Sequence, residues 1–316
     1  MNNRFSTFRA HSALLICNFI WACNFPIYNL LLGRYIEPLA LITASLLATA
    51  LLSLTPLIWQ GGERVARNDA KLLIGAALLM GVGRKVLLMY GLSHTSPIDG
   101  SIINTISPLL VLALSVLLGI DHFTPTKVIG LLLGMSGAIA VIVSGGTSSH
   151  SHSDFVGNIM IFGCACATAL YTVWLKRIIT KYRITTIMRW IYCCAAIAIL
   201  PFGWRSLIDI NITETPPLMR ALILYVVFVP TFLPNLALNY SLRTLPATMS
   251  SIYAYIQPPV AIALSVAMGL DHPHVDTLLA AAVIFIGVGL VIRSYKQKKH
   301  HKKNSAENSD RGTFQF

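Results

Sequence analysis

The sequence predicts an all-α, polytopic membrane protein with ten transmembrane helices arranged as two inverted five-helix repeats. Hydrophobic residues make up 55% of the 316 residues and charged residues only 11%, whereas a soluble domain contains about 25% charged residues. Apolar segments recur at the length of about 20 residues that crosses a bilayer. The chain also matches itself after a shift of 150 positions. The composition excludes a typical soluble enzyme and a disordered protein.

Ten segments are candidates for membrane spans. Seven of them contain no charged residue, and they cover residues 12–33, 38–58, 100–120, 128–149, 155–175, 221–242 and 244–270. The other three contain a charge or are short, and they are residues 72–92 with Arg84 and Lys85, 184–204 with Arg189, and 277–292. The chain is therefore expected to cross the lipid bilayer ten times.

Lysine and arginine residues are concentrated in alternate loops. With the N-terminus in the cytoplasm, the inside loops and termini hold nineteen of the 24 Lys and Arg residues, and the outside loops hold Arg34, Arg205 and Arg220. Cytoplasmic loops are enriched in these residues, so both termini are predicted to be cytoplasmic. The excess of Lys and Arg over Asp and Glu is attributed to orientation in the membrane. Nucleic acid, which such an excess would suggest in a soluble protein, is therefore not an expected partner.

The spans divide into two units of five. Residues 1–144 form the first predicted repeat and residues 155–295 the second, and the composition of residues 145–154 (GGTSSHSHSD) indicates a flexible linker. Residues 296–316 form a basic cytoplasmic tail, read either as a topology anchor or as a regulatory segment that meets anionic headgroups.

The two units are related in sequence. Residues 90–142 match residues 240–292 at 16 of 53 positions without a gap, where apolar composition alone gives roughly a tenth. The identities include Pro108 with Pro258, Gly119 with Gly269, and Asp121 with Asp271. Because each unit has an odd number of spans, the second enters the membrane from the opposite side. Inverted repeats of this kind are typical of secondary transporters that work by alternating access.

The sequence resembles the drug/metabolite transporter superfamily, EamA type. The resemblance rests on WACNFPIYNLLL in span one, and on SPLLVLALSVLLGID in span four with its repeat QPPVAIALSVAMGLD in span nine. It implies a bacterial inner-membrane transporter, often an exporter of small metabolites, with a central cavity between spans one, three and four and spans six, eight and nine. The chain departs from the family pattern of Gly-Glu after spans four and nine, because Asp121 and Asp271 occupy that region.

Arg84 and Lys85 are the most informative residues. Each lies about 13 residues into span three, about 20 Å deep at 1.5 Å per residue. A charge at this depth is costly unless it faces a cavity or a partner. At least one is therefore predicted to point into the central cavity and bind an anionic group of the substrate, although a structural pair or snorkelling is the alternative. Asp99 could neutralise them, relay a proton, or simply favour the start of span four.

Several prolines interrupt the spans. Pro26, Pro108 and Pro258 are candidate hinges, because each removes a backbone donor and frees the carbonyl four residues earlier. Pro108 frees the carbonyl of Asn104, and Pro258 that of Ala254. A packed, static kink is the alternative.

Polar and aromatic residues cluster near these breaks and suggest a polar cavity. Any one of them could instead join helices, since buried amides in lipid need partners. The predicted substrate-binding residues, besides Arg84 and Lys85, are Asn104, Asn235, Tyr240, Tyr253, Tyr255 and Gln257. Asn235 is also the counterpart of Lys85 under the 150-residue shift.

No cofactor or metal is expected. The six cysteines lie within spans without metal-type spacing, and the chain has no phosphate-binding GxxxxGK[ST] motif, so it is not predicted to hydrolyse ATP. The alternative function is a membrane-embedded enzyme or sensor that uses the His and Asp residues at 150–154 and 271–274. Gly130 and Gly134 permit close helix approach, within the chain or in a homodimer.

We therefore expect a secondary transporter, not an enzyme, that moves a small anionic or zwitterionic metabolite and works as an exporter. Its expected partners are that small-molecule substrate and the lipid bilayer.

Overall fold

A computed structural model describes residues 2–121, 124–144, 154–176, 178–210, 215–291 and 293. Within these ranges the regular elements are helices, and one isolated bridge pairs Leu32 with Ile36. The predicted all-α class is confirmed. Most of the predicted linker (145–153) and the whole predicted tail (296–316) lie outside the described residues.

Within the described residues, the first half of the chain contains eight α-helices. Helices α4 and α5 are joined by a π-helical segment, Ala77–Gly83, so that the three form one continuous rod. The bounds are α1 Asn2–Leu31, α2 Pro38–Leu54, α3 Leu57–Gln60, α4 Arg67–Ala76, α5 Arg84–Ser93, α6 Pro97–Asn104, α7 Ser107–Leu117 and α8 Pro125–Ser144.

The described part of the second half contains six α-helices. A 3₁₀-helical segment, Ile252–Ile256, separates α12 from α13. The bounds are α9 Phe155–Leu175, α10 Ile184–Ile208, α11 Pro217–Thr244, α12 Ala247–Ser251, α13 Gln257–Ala267 and α14 Val275–Val291.

Eight helical stretches in the described residues are long and apolar enough to cross a membrane. They are Thr7–Leu31, Pro38–Gln60, Arg67–Ser93, Pro97–Leu117, Pro125–Val143, Phe155–Leu175, Ile184–Ile208 and Pro217–Thr244. The predicted ninth span coincides with the broken run from α12 to α13, and the tenth with the shorter helix α14. Ten crossings remain a prediction.

Large apolar side chains cover the outside of the bundle. Leu117, Ile197 and Phe202 are 75%, 73% and 73% exposed. Contiguous exposed apolar surface is unfavourable in water and favourable in lipid. The outer faces of the helices are therefore suited to a bilayer.

Helix contacts occur in matching pairs. Helix α1 packs on α11, and α9 packs on α5; likewise α1 packs on α13, and α9 on α7. Helices α2 and α10 pack on each other. Each of these contacts between a span of one half and a span of the other is therefore repeated by the corresponding spans with the halves reversed.

The predicted fourth span and its repeat break in the same way. Helix α6 ends at Asn104 and α7 restarts at Ser107, while α13 restarts at the equivalent Gln257. A glycine with positive φ lies two residues beyond the end of both α7 and α13, with φ of 68° at Gly119 and 64° at Gly269. The following residues donate to the carbonyls of Ser115 and Ser265, which is the Schellman arrangement that favours glycine.

Glycines allow α8 and α14 to cross closely. A Cβ on Gly130 would lie 2.4 Å from the Gly287 carbonyl oxygen, and one on Gly137 would lie 2.8 Å from the Ala280 carbonyl oxygen. A Cβ on Gly134 would meet Leu109. Gly130 and Gly134 thus serve packing within the chain, and a homodimer remains a prediction.

Candidate functional site

Two narrow chambers lie between the halves of the molecule. We call the end of the bundle where α1 begins the lower end and the end where α1 terminates the upper end. The centre of a water molecule can occupy about 20 Å³ of the upper chamber, so the chamber has room for about one water. Its wall comprises Trp21, Asn24, Phe25, Tyr28, Arg84, Lys85, Leu88, Leu92, Asn104, Pro230, Thr231, Asn235 and Gln257.

The lower chamber is similar in size, with about 30 Å³ open to water centres. It shares Trp21, Arg84, Asn104 and Gln257 with the upper chamber. These four residues form a partition between the two. The remaining wall of the lower chamber is Asn18, Ser107, Val111, Thr168, Thr172, Leu238, Ser250, Ser251 and Ala254.

An amide relay crosses the partition from one half of the molecule to the other. Asn104 Nδ2 donates to Gln257 Oε1 at 2.9 Å, and Gln257 Nε2 donates to Asn18 Oδ1 at 2.8 Å. Asn18 Nδ2 in turn donates to the Leu14 carbonyl at 2.9 Å. All three side chains are buried, so the relay links α1, α6 and α13 where water cannot compete.

Arg84 and Trp21 complete the partition. The Arg84 guanidinium lies 4.9 Å from the centre of the Trp21 ring, and its Nε donates to Thr168 Oγ1 at 2.9 Å. Trp21 Nε1 donates to the Pro230 carbonyl at 3.3 Å. Pro234 leaves that carbonyl without its helical donor, so the indole satisfies a group that the proline kink exposes.

The Lys85 side chain is buried in the wall of the upper chamber. Its exposed fraction is 5%, and that of Arg84 is 7%. Lys85 Nζ donates to Ser45 Oγ, and neither cation forms an ion pair with a carboxylate among the described residues. The preceding π-helical segment is wider than an α-helix, and such segments are frequent at functional sites.

Asp99 does not neutralise either cation. It lies in the first turn of α6, where its backbone N–H donates to the Ser96 side chain at 3.1 Å. Its carboxylate accepts a hydrogen bond from Thr277 Oγ1 at 3.2 Å. Of the three roles considered for Asp99 from the sequence, its position in the structure matches that of an acidic residue at the start of a helix.

The structure brings five of the eight predicted substrate-binding residues to the upper chamber: Arg84, Lys85, Asn104, Asn235 and Gln257. Lys85 and Asn235, which are counterparts in the repeat, line the same wall. A role in substrate binding remains a prediction for each of them.

The three predicted tyrosines do not line either chamber, and this corrects the expected cavity wall. Tyr253 contacts His11, with 2.6 Å between its hydroxyl and Nδ1, and Tyr255 packs on Phe285. The 3₁₀ segment has three residues per turn, so Ser251, Ala254 and Gln257 share the chamber face. Tyr253 and Tyr255 lie at the positions between these residues and do not line it. Tyr240 lies on α11 away from the two chambers.

The predicted substrate-binding residues did not include Trp21, Phe25, Tyr28 or Thr231, although Tyr28 belongs to the polar and aromatic cluster that suggests a cavity. The first three follow a spacing of four and three residues in α1, which places them on one helix face. That spacing, together with Asn24, was a usable signal. Thr231 carries no comparable signal, because a threonine in an apolar span commonly bonds its own helix.

Two of the three candidate hinge prolines sit at helix starts. Pro108 and Pro258 occupy the first turns of α7 and α13, and Pro26 lies inside α1. The carbonyl that Pro108 frees, on Asn104, accepts from Ser107 Oγ at 2.7 Å. A hinge function remains a prediction for all three.

A wider vestibule of about 470 Å³ opens at the upper end. Its wall includes Asn29, Ser96 and His274. Asn29 Nδ2 donates to the carbonyls of Leu92 at 3.2 Å and Thr95 at 3.1 Å. These hydrogen bonds hold α1 and the end of α5 together between the vestibule and the upper chamber.

The model of the EamA-like transporter family matches residues 8–143 and again residues 155–293. The chain belongs to this family. These two matched ranges cover the two halves of the chain, which form equivalent helix contacts. This EamA-family protein is a multi-pass membrane transporter.

Similar proteins carry transporter names. The uncharacterized transporter YyaM of Bacillus subtilis is 23% identical over 65% of this chain and 68% of its own length. An uncharacterized transporter of Archaeoglobus fulgidus is 21% identical over 92% of this chain and 99% of its own. A probable terminal-alkyne amino-acid exporter of Streptantibioticus cattleyicolor is 25% identical over 89% of this chain and 92% of its own.

One solved crystal structure shares the fold, with a TM-score of 0.61 and 16% sequence identity over 91% of this chain and 97% of that one. The family and the named relatives are transporters and not enzymes, so the enzyme alternative is set aside. Of the histidines it invoked, His150 and His152 lie outside the described residues.

Proposed function

We propose that this EamA-family protein is a secondary transporter that exports a small anionic or zwitterionic metabolite by alternating access. The observation that carries the proposal is the pair Arg84 and Lys85, buried in the chamber between the halves without a carboxylate partner among the described residues. A membrane protein retains such costly charges where they bind a substrate or an ion.

The two cations offer unequal numbers of free donors. An ammonium has three N–H groups and a guanidinium five. In the described residues, Lys85 uses one for Ser45, and Arg84 uses its Nε for Thr168. A carboxylate or phosphate entering the upper chamber would supply both the missing charge and the missing acceptors.

The partition suits alternating access. Both chambers are lined by both halves, and the partition residues come from α1, α5, α6 and α13. Rocking of two inverted five-helix repeats, ten helices in all, would open one chamber while closing the other. The narrowness of both chambers means that the halves must separate to admit a metabolite, since ligand pockets usually exceed about 300 Å³.

Similarity and charge support the proposed direction and location. The relative from Streptantibioticus cattleyicolor is named as an exporter, which favours export. Nineteen Lys and Arg residues on one predicted side against three on the other favour cytoplasmic termini in a bacterial inner membrane.

The test is a ligand screen with purified full-length protein, read as a rise in Tm because a ligand stabilises the folded state by mass action. Compounds with an anionic group should raise Tm, and Lys85→Gln should abolish the rise while the unliganded Tm changes little. Lys181→Gln is the matched control, because Lys181 pairs with Asp69 at 3.3 Å outside both chambers. If Lys85→Gln and Arg84→Gln respond like the natural protein, the proposed anion site is wrong.

A further inference from the structure

Two loops from opposite halves of the molecule meet at the lower end of the bundle. One joins α3 to α4 in the first half, and the other joins α9 to α10 in the second half. The Tyr182 hydroxyl donates to Asp69 Oδ2 at 2.8 Å and accepts from the Ala66 backbone N–H at 3.2 Å. Because Ala66 is the N-cap of α4, a tyrosine of the second half satisfies the start of a helix in the first half.

The same two loops make a second, reciprocal contact. The backbone N–H of Arg183, the N-cap of α10, donates to Glu63 Oε2 at 3.0 Å. The helix dipole favours an acidic group at this position. Arg183 Nη1 also donates to the Gln60 carbonyl at 2.8 Å, and Thr185 Oγ1 donates to Gln60 Oε1 at 2.9 Å. Each half therefore supplies a side chain to the start of a helix in the other half.

The second-half loop is also bound to its own half. Arg243, in the last turn of α11, donates through Nε to the Ile179 carbonyl at 3.0 Å and through Nη2 to the Tyr182 carbonyl. Lys176 Nζ donates to the Leu245 carbonyl at 2.6 Å. These bonds position the loop independently of its contacts with the first half.

The repeat places two corresponding loops at the upper end, after spans one and seven. The Arg34 guanidinium lies 5.4 Å from the centre of the Tyr35 ring, and the Gly33 N–H donates to the Ile36 carbonyl at 3.1 Å, so these contacts stay within one loop. Within the described part of the two loops, Arg34 and Asp209 form no ion pair. The vestibule of about 470 Å³ opens at this end. The lower end is thus fastened between the halves, and the upper end carries the opening.

The contacts at the lower end involve the helix that carries the two cations. Asp69 lies in the first turn of α4, and α4 continues through the π-helical segment into α5. Arg84 follows Asp69 by 15 residues (84 − 69), which is about 20 Å along the helix axis. A shift of the base of this rod therefore moves a helix that lines both chambers.

We infer that Glu63, Asp69, Tyr182 and Arg183 form a latch between the halves that holds the lower chamber closed at the lower end. The lower chamber becomes accessible from that end only when these contacts break. Lys181 is not part of the latch, because its side chain is 56% exposed and an exposed ion pair contributes little. This inference rests on the alternating access proposed above and adds the contacts that determine which end is open.

The test measures how fast a cysteine in each chamber reacts with a charged maleimide, in detergent-purified full-length protein lacking the six native cysteines. Ser251→Cys reports on the lower chamber and Thr231→Cys on the upper chamber, because each residue lines only that one of the two. Tyr182→Phe keeps the ring and removes both hydrogen bonds of the hydroxyl. It should raise the rate at position 251 about tenfold, the factor expected for one lost hydrogen bond to a charged group, and should not raise the rate at position 231.

Two variants serve as matched controls. Tyr35→Phe makes the same change in the corresponding loop at the upper end, and Lys181→Gln removes the exposed cation beside the latch. Neither should change the rate at position 251. Adding Glu63→Ala to Tyr182→Phe should raise that rate further, because it also removes the acceptor at the start of α10.

Three outcomes would overturn the latch. The first is an unchanged rate at position 251 in both Tyr182→Phe and the double variant. The second is an equal rise at positions 251 and 231, which would indicate general loosening of the fold, and the third is an equal effect of Tyr35→Phe. None of these outcomes bears on anion binding, which the ligand screen tests separately, so the latch and the proposed anion site can fail independently.

Discussion

At the scale of residues, two adjacent cations have different surroundings. Arg84 lines both chambers and is already engaged by Thr168 and Trp21. Lys85 lines only the upper chamber and has Ser45 as its partner. Arg84 therefore contacts both chambers from the partition, whereas Lys85 contacts the upper chamber alone of the two.

Trp21 offers a test of the partition. Trp21→Phe keeps an aromatic ring beneath Arg84 but removes the indole N–H, which leaves the Pro230 carbonyl without that donor. We expect a loss of about 1 kcal/mol in the free energy of unfolding, the net value of one hydrogen bond, measured by thermal unfolding in detergent. Trp59→Phe is the control, because Trp59 is 69% exposed. Equal effects of the two substitutions would contradict the role given to Trp21.

The positions of the charged residues followed from the sequence more readily than those of the tyrosines. Arg84 and Lys85 lie deep in an apolar segment, and the cost of burying charge in lipid predicts that they face a cavity. Tyr253 and Tyr255 belong to the segment that folds as a 3₁₀ helix. The sequence grouped them with the polar and aromatic residues near the proline breaks, and that grouping does not reveal the change to three residues per turn that keeps them off the walls of the two chambers.

At the scale of helices, irregular turns precede the site residues in both halves. The π-helical segment Ala77–Gly83 leads directly into Arg84, and the 3₁₀ segment Ile252–Ile256 leads directly into Gln257. One widens the helix and the other tightens it. The spans themselves were predictable from apolar length, but these local changes of pitch depend on packing between helices and leave no periodic signal.

The crossing of α8 and α14 yields a prediction about stability. Gly287→Ala would place a Cβ 2.5 Å from the Gly130 carbonyl oxygen and 2.7 Å from the Gly134 backbone nitrogen. Backbone atoms cannot rotate away, so the helices must separate, and we expect a loss of about 1–3 kcal/mol in stability.

The matched control lies on the same helix. A Cβ on Gly289 would have no neighbouring atom within 4 Å, so Gly289→Ala should leave Tm unchanged or slightly higher. Thermal unfolding of both variants in detergent decides the matter. A Gly287→Ala protein as stable as the Gly289→Ala protein would show that the close crossing is absent.

At the scale of the whole molecule, the bias in Lys and Arg predicts the orientation in the membrane. Single cysteines at Ser148, Ala66 and Ser305, in a background lacking the six native cysteines, should react differently with a membrane-impermeant thiol reagent added outside cells. Position 148 should react, and positions 66 and 305 should not, because the basic loops remain in the cytoplasm. External labelling at 66 or 305 would reverse the assigned orientation.

The repeat predicts a symmetry axis. An experimental structure should superpose the five spans of residues 1–144 on those of residues 155–295 by rotation about an axis in the membrane plane, because an odd number of spans inverts the second unit. The matching contacts of α1 with α11 and α9 with α5 support this expectation. Superposition about an axis along the membrane normal would disprove it.

The Leu14 carbonyl sets the donor-to-acceptor direction of the amide relay. It lies on the far side of the partition from the upper chamber. Only an N–H can approach that carbonyl, so Asn18, Gln257 and Asn104 are each held in one of their two flipped states. Replacing Asn18 by leucine would release the other two amides to rotate, and Asn104 could then present an N–H where it now presents an oxygen. The orientation of the Asn104 amide in the wall of the upper chamber is thus set through Asn18, a residue that contributes nothing to that wall.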